Sequence, residues 1–112
     1  MPRETLKQVD ILRHELKALR YLLDNYHAGK ITSDALPPRD DFQSEQGRII
    51  YDAIQSAPDR DTASKAIARL DLEDVDIESF LRLGGDHYYT YPALVRARAA
   101  AIRKGELKVE NA

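Results

Sequence analysis

The chain contains no cysteine among its 112 residues. Disulfide bonds, zinc–thiolate centres and thiol nucleophiles are therefore excluded. It also has no uninterrupted apolar run that approaches the length of a membrane span, and its charged first residues are not typical of a signal peptide. These absences predict a cytoplasmic protein that makes no membrane contact.

The chain also carries no excess of positive charge. Lysine and arginine number 17 against 19 aspartates and glutamates, which gives a net charge of −2. Proteins whose main role is to bind nucleic acid need a strong positive field, so at most weak DNA contact is expected. The three histidines share no metal-ligand spacing, and no phosphate-binding glycine loop or nucleophile motif is present. The sequence therefore predicts no catalytic residue, no metal and no cofactor.

The overall composition is that of a folded domain. Hydrophobic residues make up 43% of the chain and charged residues 32%, which is too apolar for a disordered chain. The length suits one domain. We predict a single helical interaction domain over residues 1–107, followed by a disordered tail over residues 108–112.

Apolar spacing of three and four residues predicts α-helices along most of the chain. The first runs from about Arg3 to Tyr26, and others are predicted at residues 44–56, 63–70, 77–83 and 93–104. An alternating pattern over residues 70–77 resembles a strand, but no partner strand is predicted elsewhere, so we interpret Asp74 or Asp76 as a helix cap. The predicted fold class is all-α, a small bundle of about five to six helices.

The predicted core consists of the large apolar residues on the inner helix faces, namely Leu16, Leu19, Leu23, Phe42, Ile50, Ile54, Phe80 and Leu81. Gly47 is unfavourable within a helix, which suggests a close approach to a neighbouring element. An alternative for the first helix is that its N-terminal half, with Leu6, Val9 and Leu12, pairs with another chain.

Tyrosines and basic residues near the end of the chain form a candidate partner surface, comprising Tyr88, Tyr89, Tyr91, Arg96, Arg98, Arg103 and Lys104. Aromatic and cationic side chains together favour contact with proteins or with bases. The ordinary alternative is that the tyrosines pack a loop onto the bundle, and that the arginines form a solvated helix face.

An ordered series of residues resembles the N-terminal domain of the DnaB-type bacterial replicative helicases. It comprises Glu15, then Leu22-Leu23-Asp24-Asn25, then Asp41-Phe42, then Ile50-Tyr51-Asp52-Ala53-Ile54, with looser matches at Asp59, Thr62, Phe80, Leu81 and Ile102-Arg103-Lys104. The series departs from the family at Gly47, where a histidine or similar residue is usual. No ATPase domain follows it in this chain.

The resemblance implies an orthogonal helical bundle that acts through contact and has no catalytic residues of its own. In the helicases this domain self-associates and helps to receive primase, so the implied partners are a homo-oligomer and primase. The helicase-binding C-terminal domain of primase shares the fold, which leaves the replicative helicase as an alternative partner. A small nucleic-acid-binding regulator that uses the last helix and the tyrosines is a further alternative.

Overall fold

The computed structural model describes residues 4–32 and 34–110. Within these ranges the chain is mostly helical, with five α-helices and one two-stranded parallel sheet. The elements in chain order are β1 (Glu4–Lys7), α1 (Gln8–Asn25), a 3₁₀ turn (Arg39–Asp41), α2 (Glu45–Ser56), α3 (Arg60–Ala68), α4 (Ile77–Arg82), a second 3₁₀ turn (Asp86–Tyr88), α5 (Tyr91–Arg103) and β2 (Leu107–Glu110).

The predicted helical class is confirmed, and each predicted helix lies within a few residues of an observed one. The rejection of a strand over residues 70–77 is also confirmed, because that segment is a loop leading into α4. Asp76 caps α4 by accepting a hydrogen bond from the Ser79 N–H at 3.1 Å. An aspartate at this position satisfies a donor that the helix leaves unpaired.

Two predictions at the chain ends are wrong. The first helix begins at Gln8, because residues 4–7 form β1, and Arg3 lies outside the described residues. The predicted tail at residues 108–112 is part of β2 as far as Glu110, whereas residues 111 and 112 lie outside the described residues. β1 and β2 pair in parallel from Glu4–Leu107 to Lys7–Glu110. This pairing joins the two ends of the chain, so local periodicity does not predict it.

The core prediction is largely confirmed. Leu16 and Leu81 are only half-buried against the core. The other predicted members are at most 3% exposed, namely Leu19, Leu23, Phe42, Ile50, Ile54 and Phe80. The core therefore lies mainly between α1 and α2, and α3, α4 and α5 pack against it.

A buried carboxylate joins α1 to α2. Glu15 of α1 is 3% exposed and accepts hydrogen bonds from the Gln43 N–H at 2.6 Å, the Ser44 N–H at 3.1 Å and the Ser44 hydroxyl at 2.6 Å. The Ser44 hydroxyl in turn accepts from the Gly47 N–H at 2.9 Å and so caps α2. Glu15 thereby fixes the N-terminus of α2 on the surface of α1.

This cap explains Gly47. A Cβ atom there would lie 2.6 Å from the Ser44 Oγ and 2.9 Å from the Glu15 Oε1. The close approach inferred from the sequence is confirmed, and it occurs at the carboxylate that connects the two helices.

Gly47→Ala tests the cap. In an ordinary helix interior this change stabilises by about 1 kcal/mol. Here we expect a net loss of about 1–3 kcal/mol in the free energy of unfolding, because the new methyl displaces Ser44 or Glu15. Gly84→Ala is the matched control, since nothing lies within 4 Å of its added Cβ. Denaturant unfolding that finds Gly47→Ala as stable as the wild type would contradict the geometry.

Truncation of Leu23 tests the core. Leu23→Ala removes a side chain that is 0% exposed. We expect a loss of about 2–5 kcal/mol in the free energy of unfolding, from lost burial and the cavity left behind. Val9→Ala on the same helix is the control, because Val9 is 56% exposed and should change stability by about 0.5 kcal/mol or less. Equal losses in the two variants would argue against this packing.

Candidate interaction surface

The described residues show no arrangement typical of a metal centre. Within residues 4–32 and 34–110, no group of three or more histidine, aspartate or glutamate side chains is placed to hold a metal ion. No helix in the same ranges is long and apolar enough to cross a membrane. The surface between α1 and α5 is distinguished instead by aromatic and cationic side chains.

An aromatic–cationic cluster lies where α1 meets the second 3₁₀ turn and α5. It consists of His14, Lys17, Tyr88, Tyr91 and Arg98. The Tyr88 and Tyr91 rings meet edge to face with centroids 5.6 Å apart, and the His14 ring lies 5.8 Å from that of Tyr91. The Lys17 Nζ lies 5.7 Å and 5.4 Å from the centroids of Tyr88 and Tyr91. Such contacts hold a cation against aromatic faces.

The contact between Arg98 and His14 determines the charge of this cluster. The Arg98 Nη1 lies 2.5 Å from the His14 Nδ1. A guanidinium only donates hydrogen bonds, so we assign the proton of the neutral imidazole to Nε2. Burial lowers the pKa of His14, and the charges of Arg98 and Lys17 lower it further, against a weaker opposing effect of Asp10. The positive charge of the cluster therefore comes from Lys17 and Arg98.

A second carboxylate, that of Asp24, positions the aromatic–cationic cluster. Asp24 on α1 accepts hydrogen bonds from Arg20 and Arg60, each at 2.7 Å, and from the Gly85 N–H at 3.2 Å. Burial alone would raise the pKa of Asp24, but the hydrogen bonds from the two arginines outweigh burial and lower it. A Cβ at Gly85 would lie 2.3 Å from the Asp24 Oδ2. The turn that carries Tyr88 is therefore held tightly against α1.

A groove of about 250 Å³ adjoins the turn that carries Tyr88. It lies between the C-terminal half of α1 and the start of α5. Tyr21 lies on its α1 side, and Tyr89, which is 68% exposed, lies on its α5 side. Arg96 also borders it and donates a hydrogen bond to the main-chain carbonyl of Asp34. Its remaining border consists of Lys30, Ile31, Asp34, Ala35, Pro92 and Ala93.

The structure divides the partner surface expected from the sequence. Tyr88, Tyr91 and Arg98 belong to the cluster, and Tyr89 and Arg96 border the adjacent groove. Arg103 lies elsewhere on α5 and forms an ion pair with the buried Asp41 at 3.0 Å. Lys104 is exposed at the end of α5. The basic residues of α5 therefore do not form one patch, because Arg98 lies on the opposite side of the helix from Arg96, and Arg103 lies two turns beyond Arg96.

The sequence predicts that the outer face of the first helix contributes to the functional surface, but the candidate partner surface includes none of its residues. His14, Lys17 and Tyr21 recur at steps of three and four, which places them on one helix face. This spacing is visible in the sequence. However, this spacing indicates a contact surface only once α5 is known to pack beside that face of α1.

Two other depressions are present. One, of about 400 Å³, has an acidic border of Glu45, Glu73 and Asp74, with the exposed Val9 at its edge. The other, of about 330 Å³, is mainly apolar and lies between α5 and the strand pair, beside Leu6 and Leu107. Neither brings together aromatic and cationic side chains.

Comparison with protein-family models, with curated proteins and with solved structures finds no match to this chain.

Arg98→Ala tests the cluster. Removal of the guanidinium removes a positive neighbour of the imidazole, so the pKa of His14 should rise towards its ordinary value of 6.5. Titration of the His14 ring resonances by NMR measures this pKa. Arg82→Ala is the control, because Arg82 pairs with Glu78 on α4, and the pKa of His14 should not change. A pKa that is the same in Arg98→Ala as in the wild type would refute the contact.

Proposed function

We propose that this chain is a non-catalytic protein–protein interaction domain of the DNA replication machinery. Its proposed fold is the small orthogonal helical bundle found at the N-terminus of DnaB-type replicative helicases. The observation that carries the proposal is that the residues behind the sequence resemblance form one structural unit. Most of the series is buried where α1 and α2 pack, namely Glu15, Leu22, Leu23, Asn25, Asp41, Phe42, Ile50, Tyr51 and Ile54.

This arrangement supports a shared fold rather than shared chemistry. Glu15, the first residue of the series, accepts from the Ser44 hydroxyl that caps α2, and the apolar residues fill the core around that cap. A domain whose characteristic residues are used in this way acts through its outer faces. We therefore propose that the domain self-associates, contacts primase and is cytoplasmic.

The buried and half-buried carboxylates support a non-catalytic role. Glu15, Asp24 and Asp41 each accept hydrogen bonds from donors of this chain. An acid–base catalyst needs to face a bound substrate instead. The use of these three acids as links between structural elements is what a structural scaffold requires.

A nucleic-acid-binding regulator is less well supported. That alternative depends on Arg96, Arg98, Arg103, Lys104 and the tyrosines. Arg103 is paired with Asp41. Arg96 and Arg98 lie on opposite sides of α5, so the basic residues form no single phosphate-binding patch. The net charge of −2 also gives no general attraction to phosphate.

Light scattering and binding measurements against the primase and the replicative helicase of the same organism test the proposal. We expect an oligomer that binds one of the two. Binding to primase supports the helicase-type domain, and binding to the helicase supports the primase-type domain with the same fold. A strict monomer that binds neither protein would refute the proposal. DNA binding that falls steeply with salt and is lost on Arg96→Ala would favour the regulator instead.

A further inference from the structure

We propose that the cluster and the adjacent groove together bind an acidic peptide segment of a partner protein, with one aromatic or other large apolar side chain inserted between Tyr21 and Tyr89. The carboxylates of that segment would lie against Arg96 on the groove side of α5, and against Lys17 and Arg98 on its cluster side. The inference rests on the proposed function only in treating the chain as an interaction domain. It does not depend on which replication protein is the partner.

The size of the groove favours a single side chain. Its volume of about 250 Å³ is below the roughly 300–1,000 Å³ typical of small-molecule sites. Tyrosine and arginine, which border it, are the residues most enriched among those that dominate binding energy at protein interfaces. Tyr89 is 68% exposed, so an entering side chain would cover apolar surface that is now in contact with water.

The charge on this face favours an acidic partner. Several arginines of the described chain form an ion pair with a carboxylate, namely Arg13, Arg20, Arg39, Arg60, Arg82 and Arg103. In contrast, Arg98 donates to an imidazole, Arg96 donates to a main-chain carbonyl, and Lys17 lies over two rings. Among the described residues, no carboxylate forms an ion pair with any of these three cations, and a carboxylate would be a stronger acceptor for each.

Nearby acidic groups partly oppose this field, and Glu106 borders the depression beside the strand pair that Arg98 also borders. Asp10 is paired with Arg13 at 3.6 Å. Asp34 borders the groove, where Lys30 and Arg96 outnumber it. Asp34 is therefore expected to weaken the binding of an acidic segment without preventing it.

The ring arrangement favours a peptide over single-stranded nucleic acid. Bases bind by stacking on open aromatic faces. Tyr91 is packed between His14 and the edge of Tyr88, and Lys17 covers both tyrosines. Only Tyr89 is largely exposed, so the cluster offers no series of faces for successive bases.

The test uses the full chain and a short synthetic peptide in which aspartate and glutamate surround one tryptophan. We expect saturable binding that shifts the NMR resonances of Lys17, Tyr89 and Arg98. Lys17→Glu should weaken binding about tenfold, because it replaces an attraction by a repulsion. Tyr89→Ala should also weaken it about tenfold, since an aromatic side of the groove is lost. Asp34→Asn should tighten it, a gain that damage to the fold would not produce.

Lys65→Glu is the matched control. It makes the same charge change on α3, where Lys65 is 73% exposed, and should leave peptide binding unchanged. Equal weakening in Lys17→Glu and Lys65→Glu would overturn the proposal, as would a wild-type chain that does not bind the peptide. Preferential binding of a thymidine oligonucleotide at the same residues would assign the surface to nucleic acid instead. Because the probe is synthetic, a negative result here is independent of the primase and helicase measurements.

Discussion

The fold depends on one buried carboxylate, that of Glu15. Burial raises its pKa, because the charged form loses water, and donors from Gln43 and Ser44 oppose this effect. A buried charge is tolerated only when its hydrogen bonds are satisfied, so the segment before α2 has little freedom to move. That constraint places Phe42 in the core, and it leaves room only for glycine at position 47.

The same helix carries the proposed contact surface. One side of α1 holds Glu15 and the core leucines, and another presents His14 and Lys17 to the aromatic cluster. Asp24 then secures the turn before α5 against α1 through Gly85. A surface built on a helix that is fixed in this way changes little on binding, which lowers the entropy cost of association.

The sequence was sufficient to predict the helices and most of the core, because both depend on local periodicity. It did not predict the strand pair, since β1 and β2 lie at opposite ends of the chain and each is only four residues long. The contact surface was predicted in part. The tyrosines and arginines were identified, but His14 and Arg98 are 84 residues apart, and only the packing of α1 against α5 brings them together.

Two arginines of α5, Arg103 and Arg98, have different roles. Arg103 pairs with Asp41, whose side chain is 6% exposed, and so joins the end of α5 to the segment that Glu15 fixes from the other side. The Arg103 side chain itself is 62% exposed, so this ion pair links α5 to a buried carboxylate from the surface. Arg98 contacts only a neutral imidazole, so its charge remains available to an approaching carboxylate. Arg96 and Arg103 are seven residues apart and therefore lie on the same side of α5, so the two roles are distinguished by the acceptor that each arginine reaches and not by the side of the helix.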